Sequence, residues 1–386
     1  MFKRIFVLCF ALILSVAPAH AALAPEAIPA VFDELLKVPA LANPAMIVID
    51  GANGNVIYEK NVNSQRKPAS VMKLLSAGVT LEYLDQQSSF NTTLSIAPEE
   101  KTIIIRGSFD PWISVDHEVA RKMHRTSLPY LGNKALAAVK NANRGSLKNY
   151  KVVYSNLYSQ DVANIKEFWS KRGFKPVFKA VSGEFSMKTS EDLLLSQNSP
   201  PVTEILDWTM LWSDNLLAER LARLSARVAG YPMNDKGVDS VFRKLLNHLQ
   251  IDDSKLIVAD GSGLSKQNRV TAQLMGEYLY KIRKEEKFSH LYFTLPIAGV
   301  SGTLQDRFTL TAPSAVGLVH AKTGTLNGTA SLAGYVQSND REYIFVTIAD
   351  DIAPGNTALN KARAAIDKVL GRIAAPNIPA EISPAP

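Results

Sequence analysis

Residues 67–84 read KPASVMKLLSAGVTLEYL, and this stretch decides how the rest of the chain is organised. Apolar side chains recur at Val71, Leu74, Leu75, Val79, Leu81 and Leu84, a spacing that predicts a helix from Ser70 to about Leu84. Pro68 lies just upstream, where its fixed φ and missing N–H suit a helix start better than an interior. Ser70 and Lys73 stand three apart in the first turn, so both side chains fall on one face within reach of each other. A serine there also lies beside unpaired backbone N–H groups and the positive end of the helix, which favour a developing negative charge. The chain holds a second Ser-x-x-Lys at Ser64 to Lys67. Lys67 precedes Pro68 and is biased away from helical geometry, so Ser64 and Lys67 do not share a helix face.

Working outward, Met46 to Asp50 and Val56 to Glu59 are apolar-rich runs around a Gly/Asn-rich turn, the pattern of a β-hairpin. From about Phe90 to Ser196, expected strands (Thr92 to Ile96, Thr102 to Arg106, Lys151 to Tyr154) mix with expected helices (Val115 to His124, Lys134 to Asn141, Asp161 to Lys171). This alternation marks an inserted subdomain. A long helix is expected from Thr203 toward Val228, with Ser213-Asp214-Asn215 in its middle, then helices at Val238 to Leu249 and Ala272 to Arg283. Gly317 to Ala321, Ala330 to Val336 and Tyr343 to Ile348 read as strands and Asn360 to Ile373 as a helix. Ala374 to Pro386 is proline-rich without apolar periodicity, which reads as a flexible tail.

Composition sets limits on the chemistry. The 386 residues are 46% hydrophobic and 20% charged, ordinary for a globular chain. Residues 1–21 read as a signal peptide: Lys3 and Arg4, an apolar run from Ile5 to Val16, then Ala19-His20-Ala21 before the cleavage point. That run is shorter than the roughly 20 residues of a spanning helix, so export is expected rather than anchoring. The single cysteine, Cys9, falls inside this leader, which excludes thiol catalysis, thiolate zinc and disulfides from the remainder. The net charge of +7 stays basic without the leader, and suits either plain solvation or attraction to an anionic envelope. Nothing reads as a nucleic-acid module. His117 and His124 stand seven apart, whereas a shared zinc needs helical histidines four apart. A Gly-x-Ser-x-Gly elbow is absent.

Three short motifs remain, in order: Ser70-Val71-Met72-Lys73, Ser213-Asp214-Asn215 and Lys322-Thr323-Gly324. Each alone is weak; together they match the set of serine acyl-transferring β-lactamases and penicillin-binding proteins. Serine needs a neighbour to take its proton. Lys73 serves only if its amine is neutral, and desolvation plus a second cation at Lys322 would shift it that way. Lys322 would also attract a substrate carboxylate, Ser213 would relay a proton to the leaving amine, and Asn215 would bond the substrate amide or Lys73. Thr323, Gly324 and Thr325 would line the substrate, with the N–H groups of Ser70 and Thr325 as oxyanion donors and Gly324 allowing close approach. Asp214 would point elsewhere and be structural.

The chain resembles the penicillin-binding protein 4 type of D-alanyl-D-alanine carboxypeptidase and endopeptidase over nearly all the sequence after the leader. Beyond the motifs, the resemblance rests on Pro68-Ala69, Gly107 to Pro111, Ser199-Pro200-Pro201, Asp260 to Ser265 and Gly302-Thr303-Leu304. It implies an α/β fold of β-lactamase/transpeptidase type: an antiparallel sheet flanked by helices, with a smaller α+β subdomain inserted between the first two motifs. The division would be 22–89 with 197–373 as the catalytic domain, 90–196 as the insert and 374–386 as the tail. Peptidoglycan stem peptides would be substrates and β-lactam antibiotics covalent inhibitors, with no metal or organic cofactor, in an extracytoplasmic compartment. The 139 residues between Lys73 and Ser213 are fewer than is usual in this family, which points to a reduced insert. A β-lactamase is the first rival, but the Glu-x-x-x-Asn loop of the class A enzymes is missing after the second motif. A non-catalytic homologue is the second rival, against the intact Ser70, Lys73, Ser213, Asn215 and Lys322. Carboxypeptidase and endopeptidase action both stay open, as does the oligomeric state.

Overall fold

The computed structural model describes residues 23–183 and 185–375; the expected leader, Cys9 included, lies outside them. In chain order the strands are β1 (Ala45–Asp50), β2 (Val56–Lys60), β3 (Ser89–Ala97), β4 (Thr102–Arg106), β5 (Lys151–Ser155), β6 (Val177–Ala180), β7 (Asp192–Pro201), β8 (Val319–Leu326), β9 (Thr329–Ser338) and β10 (Arg341–Ala349). They form two five-stranded sheets, ordered β2-β1-β10-β9-β8 and β6-β5-β4-β3-β7.

The first sheet is antiparallel throughout and buried on both faces. Alternation along β1 explains how. Ala45, Ile47 and Ile49 face the helices Lys73–Tyr83, Asn215–Val228, Asp235–His248 and Ala272–Lys284, while Met46 and Val48 face Ile28–Leu35 and Asn356–Gly371. Every residue of β1 is therefore buried, and the strand reads as a continuous apolar run. This is the antiparallel sheet flanked by helices that the family resemblance implies.

The second sheet is mixed: β4, β5 and β6 run parallel, and β3 pairs antiparallel with β4 and β7. Leu94, Ile96, Ile103, Ile105 and Val152 build its core with the helices Leu128–Ala142 and Ser159–Ser170 and with Trp169 and Phe174. Strands β3 and β7 begin at Ser89 and end at Pro201, so they cross the expected boundaries at 90 and 196.

Four local expectations are corrected. Ala69–Met72 is a 3₁₀ turn, and the α-helix starts only at Lys73. The helix expected to run from Thr203 to Val228 is two helices, Val202–Leu211 and Asn215–Val228. Ser213 takes a left-handed φ of 59°, and the Asp214 side chain caps the second helix by accepting from Leu217 N at 3.0 Å. Strands β6 and β7 are additions to the expected set; both lie at sheet edges, and β7 opens on Leu193-Leu194-Leu195 before a polar run that ends in Pro200-Pro201, which an edge tolerates. Ala374 and Ala375, expected in the tail, are buried, and Ala375 N and O bond Gln337 O and Asn339 N at 3.0 Å.

Candidate active site

Ser70 sits where three segments converge. Ala69 before it is left-handed at φ 49°, a conformation that costs roughly 1 kcal/mol and needs support from its surroundings. Two glycines allow that support. A Cβ on Gly263, itself at φ 80°, would fall on the Ala69 carbonyl oxygen, and a Cβ on Gly324 would fall on Ser331 Oγ and 2.7 Å from Pro68 O. Ser331 Oγ in turn donates to Pro68 O at 2.7 Å. Gly324 thus makes room for the turn that carries Ser70.

Lys73 is fully buried and its ammonium donates to Ser70 Oγ (3.0 Å), Asn215 Oδ1 (2.6 Å) and Ser262 O (2.6 Å). Burial lowers its pKa to about 8, against the charges of Asp260, Asp214 and Glu219, which raise it. Loss of one proton leaves two N–H bonds and a lone pair. Asn215 Oδ1 and Ser262 O can only accept, so they hold both hydrogens and the lone pair turns to the Ser70 hydroxyl.

Lys322 lies behind the cleft, as Lys73 does. The side chain is fully buried and donates to Thr323 O at 3.1 Å, so its ammonium does not line the open cleft. Burial, and then the charge of Lys73, hold its pKa well below the usual lysine value. Burial is the largest cause for both lysines, and because like charges repel mutually, each favours the neutral form of the other.

The carbonyl that holds Lys73 belongs to a loop whose role the sequence did not reveal. The Asp260 carboxylate accepts from Gly263 N (2.5 Å), Ser265 N (2.6 Å) and Ser262 Oγ (3.0 Å), folding the loop so that Ser262 O meets the ammonium. Gly261 is tied on both sides, its N–H to Glu219 (2.7 Å) and its carbonyl to Ser76 Oγ (2.6 Å).

Strand β8 forms the facing wall, at the sheet's outer edge. Ala321 N donates away from the sheet to Pro296 O at 2.9 Å. Backbone direction repeats every second residue, so the N–H groups of Thr323 and Thr325 face outward as well. The Thr323 hydroxyl pairs with Thr303 Oγ1 at 2.8 Å, and Thr325 Oγ1 accepts from Arg363 at 2.9 Å. One cleft of about 550 Å³ brings together Ser70, Ser213, Asn215, Thr323, Thr325 and Arg363. The structure thus gathers every expected site residue at or directly behind this cleft, with Lys73, Gly324 and Lys322 behind it.

Comparison with known proteins gives the family and the fold. The model of the D-Ala-D-Ala carboxypeptidase 3 (S13) family matches residues 29–140 and 148–373. A carboxypeptidase DacB of Mycolicibacterium smegmatis is 27% identical over 382 residues, covering 85% of this chain and 82% of that protein. A D-alanyl-D-alanine carboxypeptidase DacB of Haemophilus influenzae is 36% identical over 178 residues, 45% of this chain and 36% of the relative. Among solved structures, penicillin-binding protein 4 of H. influenzae superposes with a TM-score of 0.64 at 21% identity, covering 88% of this chain and 97% of that one. A predatory peptidoglycan endopeptidase of Bdellovibrio bacteriovorus gives 0.58 at 17%, covering 86% and 93%. With the family model spanning most of the chain and a penicillin-binding protein 4 fold beneath it, the chain belongs to the D-Ala-D-Ala carboxypeptidase 3 (S13) family.

Proposed function

We propose that this protein hydrolyses the bond after a D-alanine in peptidoglycan stem peptides through an acyl-enzyme on Ser70. The observation that carries the reading is the buried Lys73 ammonium 3.0 Å from Ser70 Oγ, its pKa brought down to about 8. Neutral Lys73 takes the hydroxyl proton as Ser70 Oγ attacks the D-alanyl carbonyl carbon. The N–H groups of Ser70 and Thr325 stabilise the oxyanion. The tetrahedral intermediate collapses, the leaving amine takes a proton passed by way of Ser213, and the ester on Ser70 remains. Water then attacks that ester, with Lys73 as base, to release the shortened peptide. Asn215 holds Lys73 in place, and Lys322 with Thr323 and Gly324 shapes the opposite wall.

β-Lactam antibiotics, whose ring amide offers the same reacting carbonyl, would acylate Ser70 and stay. The domain division follows the same reading, with an insert that runs from the start of β3 to the end of β7 and the segments on either side carrying the chemistry. Signal-peptide cleavage near Ala21 would place the enzyme outside the cytoplasm, beside its polymer. Among the described residues no helix is long and apolar enough to cross a membrane.

Intact-mass analysis after incubation with benzylpenicillin tests the reading: one adduct is expected, mapped to Ser70 and absent in Ser70→Ala. No adduct would overturn it, and rapid release of hydrolysed drug would favour a β-lactamase. Muropeptide chromatography separates the two peptidase activities. Loss of a terminal D-alanine reports carboxypeptidase action; conversion of cross-linked dimers to monomers reports endopeptidase action.

A further inference from the structure

The Lys322 ammonium lies behind the cleft, whereas another cation stands in the cleft wall itself. Arg363 lies on the C-terminal helix Asn356–Gly371 and lines the same cleft as Ser70. Its guanidinium donates to Thr325 Oγ1 at 2.9 Å and to Asn360 Oδ1 at 3.1 Å, both neutral acceptors. No carboxylate pairs with it among the described residues. The neighbouring Asp367, which also lines the cleft, is taken by Arg307 and Thr311. Asp306 lines the cleft too and forms no ion pair among the described residues. A half-buried arginine in an open cleft, held by two neutral groups and, among the described residues, in no ion pair though within the field of Asp367, is a cation prepared for an incoming anion.

The chemistry of the scissile bond says which anion. In a D-alanyl peptide the leaving nitrogen is borne by a carbon that also carries a carboxylate, whether the leaving group is a terminal D-alanine or the D-centre of a cross-linking diamino acid. Penicillins carry a carboxylate on the carbon next to the lactam nitrogen. We propose that Arg363, held by Thr325 and Asn360, is the specificity residue that reads this carboxylate. Thr325 places it, since that residue belongs to the strand against which the acyl group would lie. The proposal rests on Ser70 being the acylated serine.

The test compares acylation rate constants for benzylpenicillin and its methyl ester, which keeps the ring and loses the negative charge. Wild type should favour the acid. Arg363→Gln should cut the acid-to-ester ratio about 10- to 100-fold, the range expected for one lost charge-assisted contact. Arg363→Lys should recover part of it. An unchanged ratio in Arg363→Gln, with equal loss on both compounds or with no loss, would mean that Arg363 only shapes the cleft and would overturn the proposal. A wild type that prefers the ester or shows no preference overturns it as well. A wild type unreactive to both compounds instead defeats the acyl-enzyme reading on which it rests.

Discussion

The two five-stranded sheets solve different problems. The first is antiparallel, covered by helices on both faces, and its outer strand β8 is pressed so closely against the Ser70 turn that only glycine fits at 324. The second packs a single apolar core against two helices, and its edge strand β7 leaves Leu193 exposed. Close approach occurs in both regions, as at Gly132 against Phe168, but only in the first does it set the turn that carries Ser70. The regions meet at a buried ion pair, Arg220 to Asp161 at 2.7 Å, joining the helix that starts at Asn215 to the helix Ser159–Ser170. Asp110, its pKa pushed up to about 6 by burial, lies beside this pair.

The largest effect should come from the centre of the first region. Lys73→Met keeps the volume and removes the base, so acylation should fall about 10²- to 10⁴-fold while the fold is kept, as stopped-flow trapping with a fluorescent penicillin would report. Next comes Gly263→Val, which drives a side chain into the Ala69 carbonyl. A shift of the Ser70 turn by about 1 Å should cost about 10²-fold in acylation. A variant with normal acylation would show that the turn is not held from that side.

Asp161→Asn tests the seam. It leaves the Arg220 charge buried without its partner, so chemical denaturation should show a loss of about 3 kcal/mol. Acylation by the folded protein should stay within about twofold. A parallel collapse of the rate would show that the insert sets the position of Asn215, and the contrast between the two regions would fail.

What could be read in the sequence divides along the same line. The chemistry-bearing side chains were legible because Ser70 and Lys73 are local neighbours and the other two motifs are contiguous. The first sheet was legible because burial on both faces demands apolar runs such as β1 and β10. Strand β7 was not, since its one apolar run, Leu193 to Leu195, is too short to tell strand from helix and the rest of this edge strand is polar. The break at Ser213 had a signal, the capping preference of aspartate at 214, which the unbroken apolar pattern around it masked. The Ser262 carbonyl and Arg363 had none. A backbone oxygen has no residue identity, and an arginine on an amphipathic helix looks like any solvated cation until the fold puts Thr325 beside it.

Burial makes Lys73 the base for Ser70, and the pH dependence of the second-order rate constant for acylation by benzylpenicillin reads this out. Protonated Lys73 cannot accept the serine proton, so the rate should climb about tenfold per pH unit, levelling near pH 8 as the amine becomes neutral, and this rise should vanish in Lys73→Met. A wild-type profile that is level from about pH 5 to pH 9, or one that Lys73→Met leaves unchanged, would contradict the account.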